Sequence, residues 1–183
     1  MDVTKILREV YWHSLDGIVV ADKDTVILDV NPAYESITGY SRSELIGKKT
    51  NIVRSGLTPP EVFRDMWGQL ATRGRWVGEV INRHKNGNLW TSFVSITRIV
   101  DEGGSVVAYV GIARDISARK AMEQQLRQNL EEIESARELA DAQATRLQAL
   151  LDSVDEAIIM FDTQGMCVVA NHQAGHMLGL SAE

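Results

Sequence analysis

The sequence predicts an α+β fold, a five-stranded antiparallel sheet with short helices on one side, followed by a long coiled-coil helix. Three observations carry this. Two β-rich runs, several short helix signals and three longer alternating runs follow one another in order. The spacing of apolar residues switches from helical to alternating at Gly74. From Ser117 to Val154 the chain holds neither glycine nor proline and carries a heptad seam.

The elements follow in order. Val3, Ile6, Leu7, Val10 and Tyr11 keep helical spacing, so residues 1–15 read as an amphipathic N-terminal helix. Ile18–Ala21 and Val26–Val30 flank the turn text ADKDT as two strands. Asn31 and Pro32 then cap and start a short helix that Gly39 ends. Ser41 and Glu44 form a capping-box pattern for the next helix, which Gly47 closes. Thr58-Pro59-Pro60-Glu61 opens a longer helix whose apolar face is Val62, Phe63, Met66, Trp67 and Leu70. Trp76 to His84 alternates, Lys85-Asn86-Gly87-Asn88 turns the chain, and Leu89–Val100 and Ser105–Ala113 are the last two strands.

The slots Leu126, Leu130, Ile133, Arg137, Ala140, Ala144, Leu147, Leu151 and Val154 are spaced alternately four and three apart, and all but Arg137 are apolar. Residues 119–154 are therefore expected to pair as a homodimeric, parallel coiled coil, thin at the two alanines. The closing stretch repeats the opening one. Asp22, Asn31, Gly39 and Ser41 recur as Asp162, Asn171, Gly179 and Ser181, each 140 residues on. Residues 150–183 thus read as the start of a second copy of the domain that occupies 16–118.

Composition narrows the function. A net charge of −6 with no basic stripe speaks against nucleic acid as a partner. The apolar runs are too short to cross a bilayer, and the N-terminus lacks a signal-peptide pattern, so the expected compartment is the cytoplasm. The lone Cys167 reads as a buried apolar thiol. No P-loop, G-x-S-x-G, HExxH or phosphoacceptor-histidine pattern is present, so no catalytic residue is assigned. A histidine kinase or diguanylate cyclase output would lie outside the chain.

The stretch GRWVGEVINRHKNGNLW carries the candidate site. On a strand, Trp76, Gly78, Val80 and Asn82 share one face. A flat ring, a gap and an amide on one face can line a pocket for a planar ligand. They can equally belong to an ordinary half-buried strand.

The NPA helix ending in TGYS-x-x-ELIG, the NRHKNG hairpin and the closing VGIARDIS resemble a PAS domain over about residues 8–118. That resemblance implies the PAS fold, a sensor or interaction role, and coupling through DISARK into a signalling helix. NIVRSGLTPPEVFRDMWGQL followed by GRWVGEVINRHKNG is similar to the FAD-binding redox and oxygen sensors of the aerotaxis-receptor and nitrogen-fixation-regulator type. The resemblance implies that Trp67 and Asn82 contact flavin, that Trp76 is the hairpin tryptophan, and that Asn51 and Arg54 lie in the belt beside the ligand. Asn31 matches a structural cap, and His84 stands where relatives usually carry arginine.

The expected cofactor is FAD, with FMN or no cofactor as alternatives. A light sensor of the cysteinyl-flavin type needs a belt cysteine, and residues 51–74 contain none. A haem sensor needs a belt histidine, and the four histidines are His13, His84, His172 and His176. The last two are four apart, too few for a metal site alone, and read as surface or core residues. The rival to the flavin sensor is a cofactor-free PAS module for dimerisation and docking.

Overall fold

The computed structural model describes residues 2–178. Gly179 and Ser181, two of the four repeat identities, lie outside the described residues. The chain forms two compact units that part between Met122 and Glu123.

In the first unit, α1 (Val3–His13) leads into β1 (Gly17–Asp22) and β2 (Ile27–Val30). Short helices α2 (Pro32–Thr38) and α3 (Arg42–Leu45), a 3-10 turn at Thr50–Val53 and helix α4 (Pro60–Arg73) form a belt. Three strands follow, β3 (Arg75–Arg83), β4 (Leu89–Val100) and β5 (Val106–Asp115). They make one antiparallel sheet in the order β2-β1-β5-β4-β3. The last strand enters the middle of the sheet, so the two hairpins meet through β5.

Local chemistry explains the belt. Asn31 caps α2 by accepting from the Tyr34 N–H, and Ser41 and Glu44 close a capping box on α3. Gly39 ends α2 in the left-handed region, and the His84 ring lies where its Cβ would be, at 2.1 Å. That close approach seats the β3–β4 turn against α2, together with the Lys85 N–H donating to the Thr38 carbonyl at 2.9 Å. The core has two clusters. Ile27, Val30, Tyr34, Leu45 and Trp90 fill one end, Met66, Leu70 and Trp76 the other, and Val94 packs against both.

The sequence repeat is also a hydrogen-bond repeat. Asn31 Oδ1 accepts from the Ile18 N–H at 2.7 Å, and its Nδ2 donates to the Tyr11 and Asp16 carbonyls. In the second unit Asn171 Oδ1 accepts from the Ile158 N–H at 2.9 Å, and its Nδ2 donates to the Leu151 and Glu156 carbonyls. Each of these partners is displaced by the same 140 residues, and Asn171 Nδ2 has one further, long bond to the Val154 carbonyl at 3.5 Å. Asp22 and Asp162 likewise receive the N–H groups of Asp24 and Val26, and of Gln164 and Met166. Each asparagine therefore ties the last turn of the preceding helix to the start of the hairpin that follows that helix.

Helix α5 (Ser117–Asp152) is continuous. Among its seam residues Leu126, Leu130, Ile133 and Leu147 are exposed in the single chain. After it come β6 (Ile159–Phe161), β7 (Cys167–Ala170) and α6 (His172–Leu178). Cys167 is exposed, not buried as its apolar neighbours suggest, because no layer covers that face of the two-stranded hairpin among the described residues. No helix of the described residues is long and apolar enough to cross a membrane.

Candidate functional site

A cavity of about 330 Å³ lies between the inner face of the sheet and the belt of the first unit. Its strand wall comes from alternate residues, because a strand turns every second side chain to the same face. Trp76, Val80 and Asn82 of β3, Trp90, Val94 and Ile96 of β4, and Tyr109 of β5 line it. The belt adds Asn51, Val53 and Arg54, and α4 adds Phe63, Met66, Trp67 and Leu70. All five residues singled out from the sequence, Asn51, Arg54, Trp67, Trp76 and Asn82, therefore line one cavity.

Their environments differ. Trp76 is 2% exposed and its Nε1 donates to Asp65 Oδ2 at 3.0 Å. Bonds from Gln69 and then Trp76 hold the Asp65 carboxyl below its usual range. Trp67 is 44% exposed and meets Tyr109 edge-on, with ring centres 5.7 Å apart. The Arg54 guanidinium lies 4.2 Å from the centre of the Phe63 ring, so a cation is already stacked at the cavity wall. Asn51 and Arg54 are both exposed.

Gly78 does not open a gap into the cavity, contrary to the strand-face reading. A Cβ there would fall 2.2 Å from Cζ2 of Trp76. The Trp76 indole lies across Gly78 and fills the space the missing side chain leaves. The glycine is needed for the tryptophan wall rather than for the ligand.

Asn82 is held from two sides. Its Nδ2 donates to the Ser92 Oγ at 2.9 Å, and the hydroxyl of Ser92, fully buried, donates in turn to the Val80 carbonyl at 3.4 Å. On the other edge, the backbone of Arg54 bridges to that of Asn82. The neighbouring Ile81 peptide is clasped by belt hydroxyls. Its N–H donates to Thr58 Oγ1 at 2.8 Å, and its carbonyl accepts from the Ser55 hydroxyl. Belt and edge strand are thus fastened at the residue beside the amide.

The sheet also fastens to α5 here. The Thr91 N–H donates to Ser117 Oγ at 2.9 Å, and the Ile116 N–H donates to the Thr91 carbonyl at 2.9 Å. Thr91 sits between Trp90 and Ser92, so the first residue of α5 is bonded to the strand segment that lines the cavity. Lys120 pairs with Glu79 of β3 at 2.8 Å.

Ser55, Thr58, Ser92 and Trp90 were not singled out from the sequence. Thr58 reads there as part of a helix start, yet its hydroxyl serves a strand twenty-three residues away. None of the four histidines lines the cavity. His172 and His176 are exposed on α6, with Nε2 atoms 3.0 Å apart. Among the described residues no three histidine, cysteine or carboxylate groups gather as a metal site would require.

Comparison with known proteins agrees with this architecture. The chain is 29% identical over 155 residues to the nitrogen fixation regulatory protein of Klebsiella oxytoca, covering 85% of this chain and 28% of that protein. It is 33% identical over 91 residues to the aerotaxis receptor of Escherichia coli, covering 50% of this chain and 18% of that one. The crystal structure of the PAS domain of a protein from Colwellia psychrerythraea superposes with a TM-score of 0.61 at 27% identity, covering 64% of this chain and 99% of that one. The chain spans little more than a quarter of the length of the nitrogen fixation proteins it matches. A PAS domain profile also matches residues 145–183. With the PAS domain profile matching residues 15–118, more than half of its length, the chain belongs to the PAS domain family.

Proposed function

We propose that the first unit is a sensor that binds FAD and reports redox state or oxygen through a dimeric α5 to an output domain elsewhere in a longer, cytoplasmic protein. The observation that carries this reading is the seating of Asn82. It is an amide with both a donor and an acceptor, set among the apolar and aromatic residues of the cavity's strand wall. A flat, mostly apolar ring system with one hydrogen-bonding edge is the ligand such a wall suits. The similarity to a nitrogen fixation regulator and an aerotaxis receptor favours the same direction.

The residues divide the work. Asn82 reads the ring edge, Trp67 and Trp76 form the walls, and Arg54 with Asn51 at the exposed rim meets the phosphate-bearing tail. A flavin bound there supplies a redox couple whose reduced form carries an added proton. That proton would turn a ring acceptor beside the carbonyl that Asn82 meets into a donor, so Asn82 would have to turn its Oδ1 where its N–H had been. Ser92 can satisfy either orientation, because a hydroxyl both donates and accepts. Any shift of Ser92 bears on Thr91 and so on Ser117, the first residue of α5. The seam on α5 pairs two chains and carries the change onward.

Asn82→Ala tests the reading. The folded variant is expected to bind FAD about tenfold more weakly, the scale of a hydrogen-bonded amide lost from a buried site, or to bind it without a redox-dependent response. Unchanged flavin content with an unchanged response removes Asn82 from the site.

A further inference from the structure

Three buried side-chain polar atoms lack a hydrogen-bond partner among the described residues, Tyr11 Oη, Trp90 Nε1 and Arg98 Nε. Only one of these residues, Trp90, lines the cavity. The contrast with Trp76 is direct. Both indoles are almost wholly buried on the same face of the sheet, yet Trp76 donates to Asp65 and Trp90 donates to nothing. A buried donor without a partner is destabilising, a loss that phenylalanine at the same place avoids. An N–H held there is free to meet an acceptor brought by a ligand.

A hydrogen-bond count on the opposite strand leads to the same atom. The polar edge of an isoalloxazine presents a carbonyl, an N–H and a second carbonyl. Its full complement is donor, acceptor, donor. Asn82 has one acceptor and two N–H groups, and its amide nitrogen is already engaged by Ser92. Asn82 therefore meets the ring N–H and one carbonyl, and the second carbonyl needs a donor from elsewhere. Trp90 is the direct cross-strand partner of Asn82 in the β3–β4 register. Residues so paired keep their Cβ atoms about 5 Å apart, within the span of one ring edge.

We propose that the Trp90 indole N–H is a ligand-binding donor that completes, with Asn82, the set reading the flavin edge. This rests on the flavin reading of the cavity and adds a residue to it. It also places one reader, Trp90, next to Thr91, which holds Ser117, and the other directly across from Trp90.

The test is an FAD titration of the full chain labelled with ¹⁵N at its four tryptophan indoles, alongside Trp90→Phe. The Trp90 indole proton is expected to move downfield as FAD binds, and Trp90→Phe to weaken FAD binding about fivefold, the scale of one net hydrogen bond. A saturated FAD complex in which the Trp90 indole proton stays in place overturns the assignment and leaves the flavin site standing. So does a folded Trp90→Phe with wild-type affinity. Should that variant fail to fold, the wild-type resonance alone decides. A wild-type protein that takes up neither FAD nor FMN overturns the flavin reading, and this assignment with it.

Discussion

Gly78→Ala is the sharpest test of how the cavity wall is built. The added Cβ would sit 2.2 Å from Cζ2, 2.6 Å from Cη2 and 3.0 Å from Cε2 of Trp76. Carbon atoms in contact prefer about 3.5–4.0 Å, so the ring has to retreat by more than about 1 Å. It has little room to do so. Trp76 is packed against Met66 and Leu70 and anchored by its bond to Asp65. Overpacking of this kind costs about 1–3 kcal/mol, and a strained bond to Asp65 adds about 1 kcal/mol. The expected loss is about 2–4 kcal/mol, read as a lower urea midpoint with an unchanged slope. FAD binding should fall as well, because the displaced ring is a cavity wall. Gly68→Ala is the control. It lies within α4 with nothing within 4 Å of the added Cβ, so it should be neutral or stabilise by up to about 1 kcal/mol. Trp76→Leu in the Gly78→Ala background should recover part of the loss, a coupling of about 1 kcal/mol or more. Gly78→Ala within about 0.5 kcal/mol of wild type would refute the reasoning, since the indole would then not occupy the glycine's side-chain space.

Trp67→Ala should lower the stability of the ligand-free protein by only about 1 kcal/mol, since its ring is half exposed and meets Tyr109 edge-on, yet weaken FAD binding at least about tenfold by titration. Unchanged affinity would remove it from the wall. Replacing Leu147 and Leu151 with lysine should yield monomers by light scattering, because both occupy the seam; a persisting dimer would place the contact elsewhere. In acid, Lys85 and the Ser41 cap hold the Glu44 carboxyl down at about 2, and Arg114 holds Asp16 below its usual range. Depressed carboxylates stabilise above their unfolded values, and that contribution fades as pH falls through their folded ones. The melting temperature should therefore drop from about pH 4.5 towards pH 2, and Glu44→Gln should flatten the drop; parallel curves for the two proteins would contradict the pairing.

What the sequence showed was what local rules govern. Caps at Asn31 and Ser41, the change of period at Gly74 and the turn at Asn86-Gly87 each act within a few residues, and the sheet and belt follow from them. Resemblance, not periodicity, singled out Asn51, Arg54, Trp67, Trp76 and Asn82 together. The remainder depends on distant pairing. Ser92 reaches Asn82 only through the β3–β4 register, and Thr58 reaches Ile81 only once the belt has crossed to the edge strand. Gly78 was misread because a strand pattern shows which face a residue takes, not that the Trp76 ring folds over its neighbour. Asn31 was legible as a cap, but its bond to the Tyr11 carbonyl spans twenty residues and appears only in the folded chain. Cys167 was misplaced because burial needs a covering layer, which its own strand cannot announce.

The central claim is that the cavity holds a redox-active flavin, and the absorbance spectrum of freshly purified protein addresses it most directly. The account predicts twin flavin bands in the blue and near ultraviolet, bleached by dithionite and restored by air. A bare protein spectrum that stays bare after incubation with FAD or FMN would contradict it and leave a cofactor-free PAS module for pairing and docking.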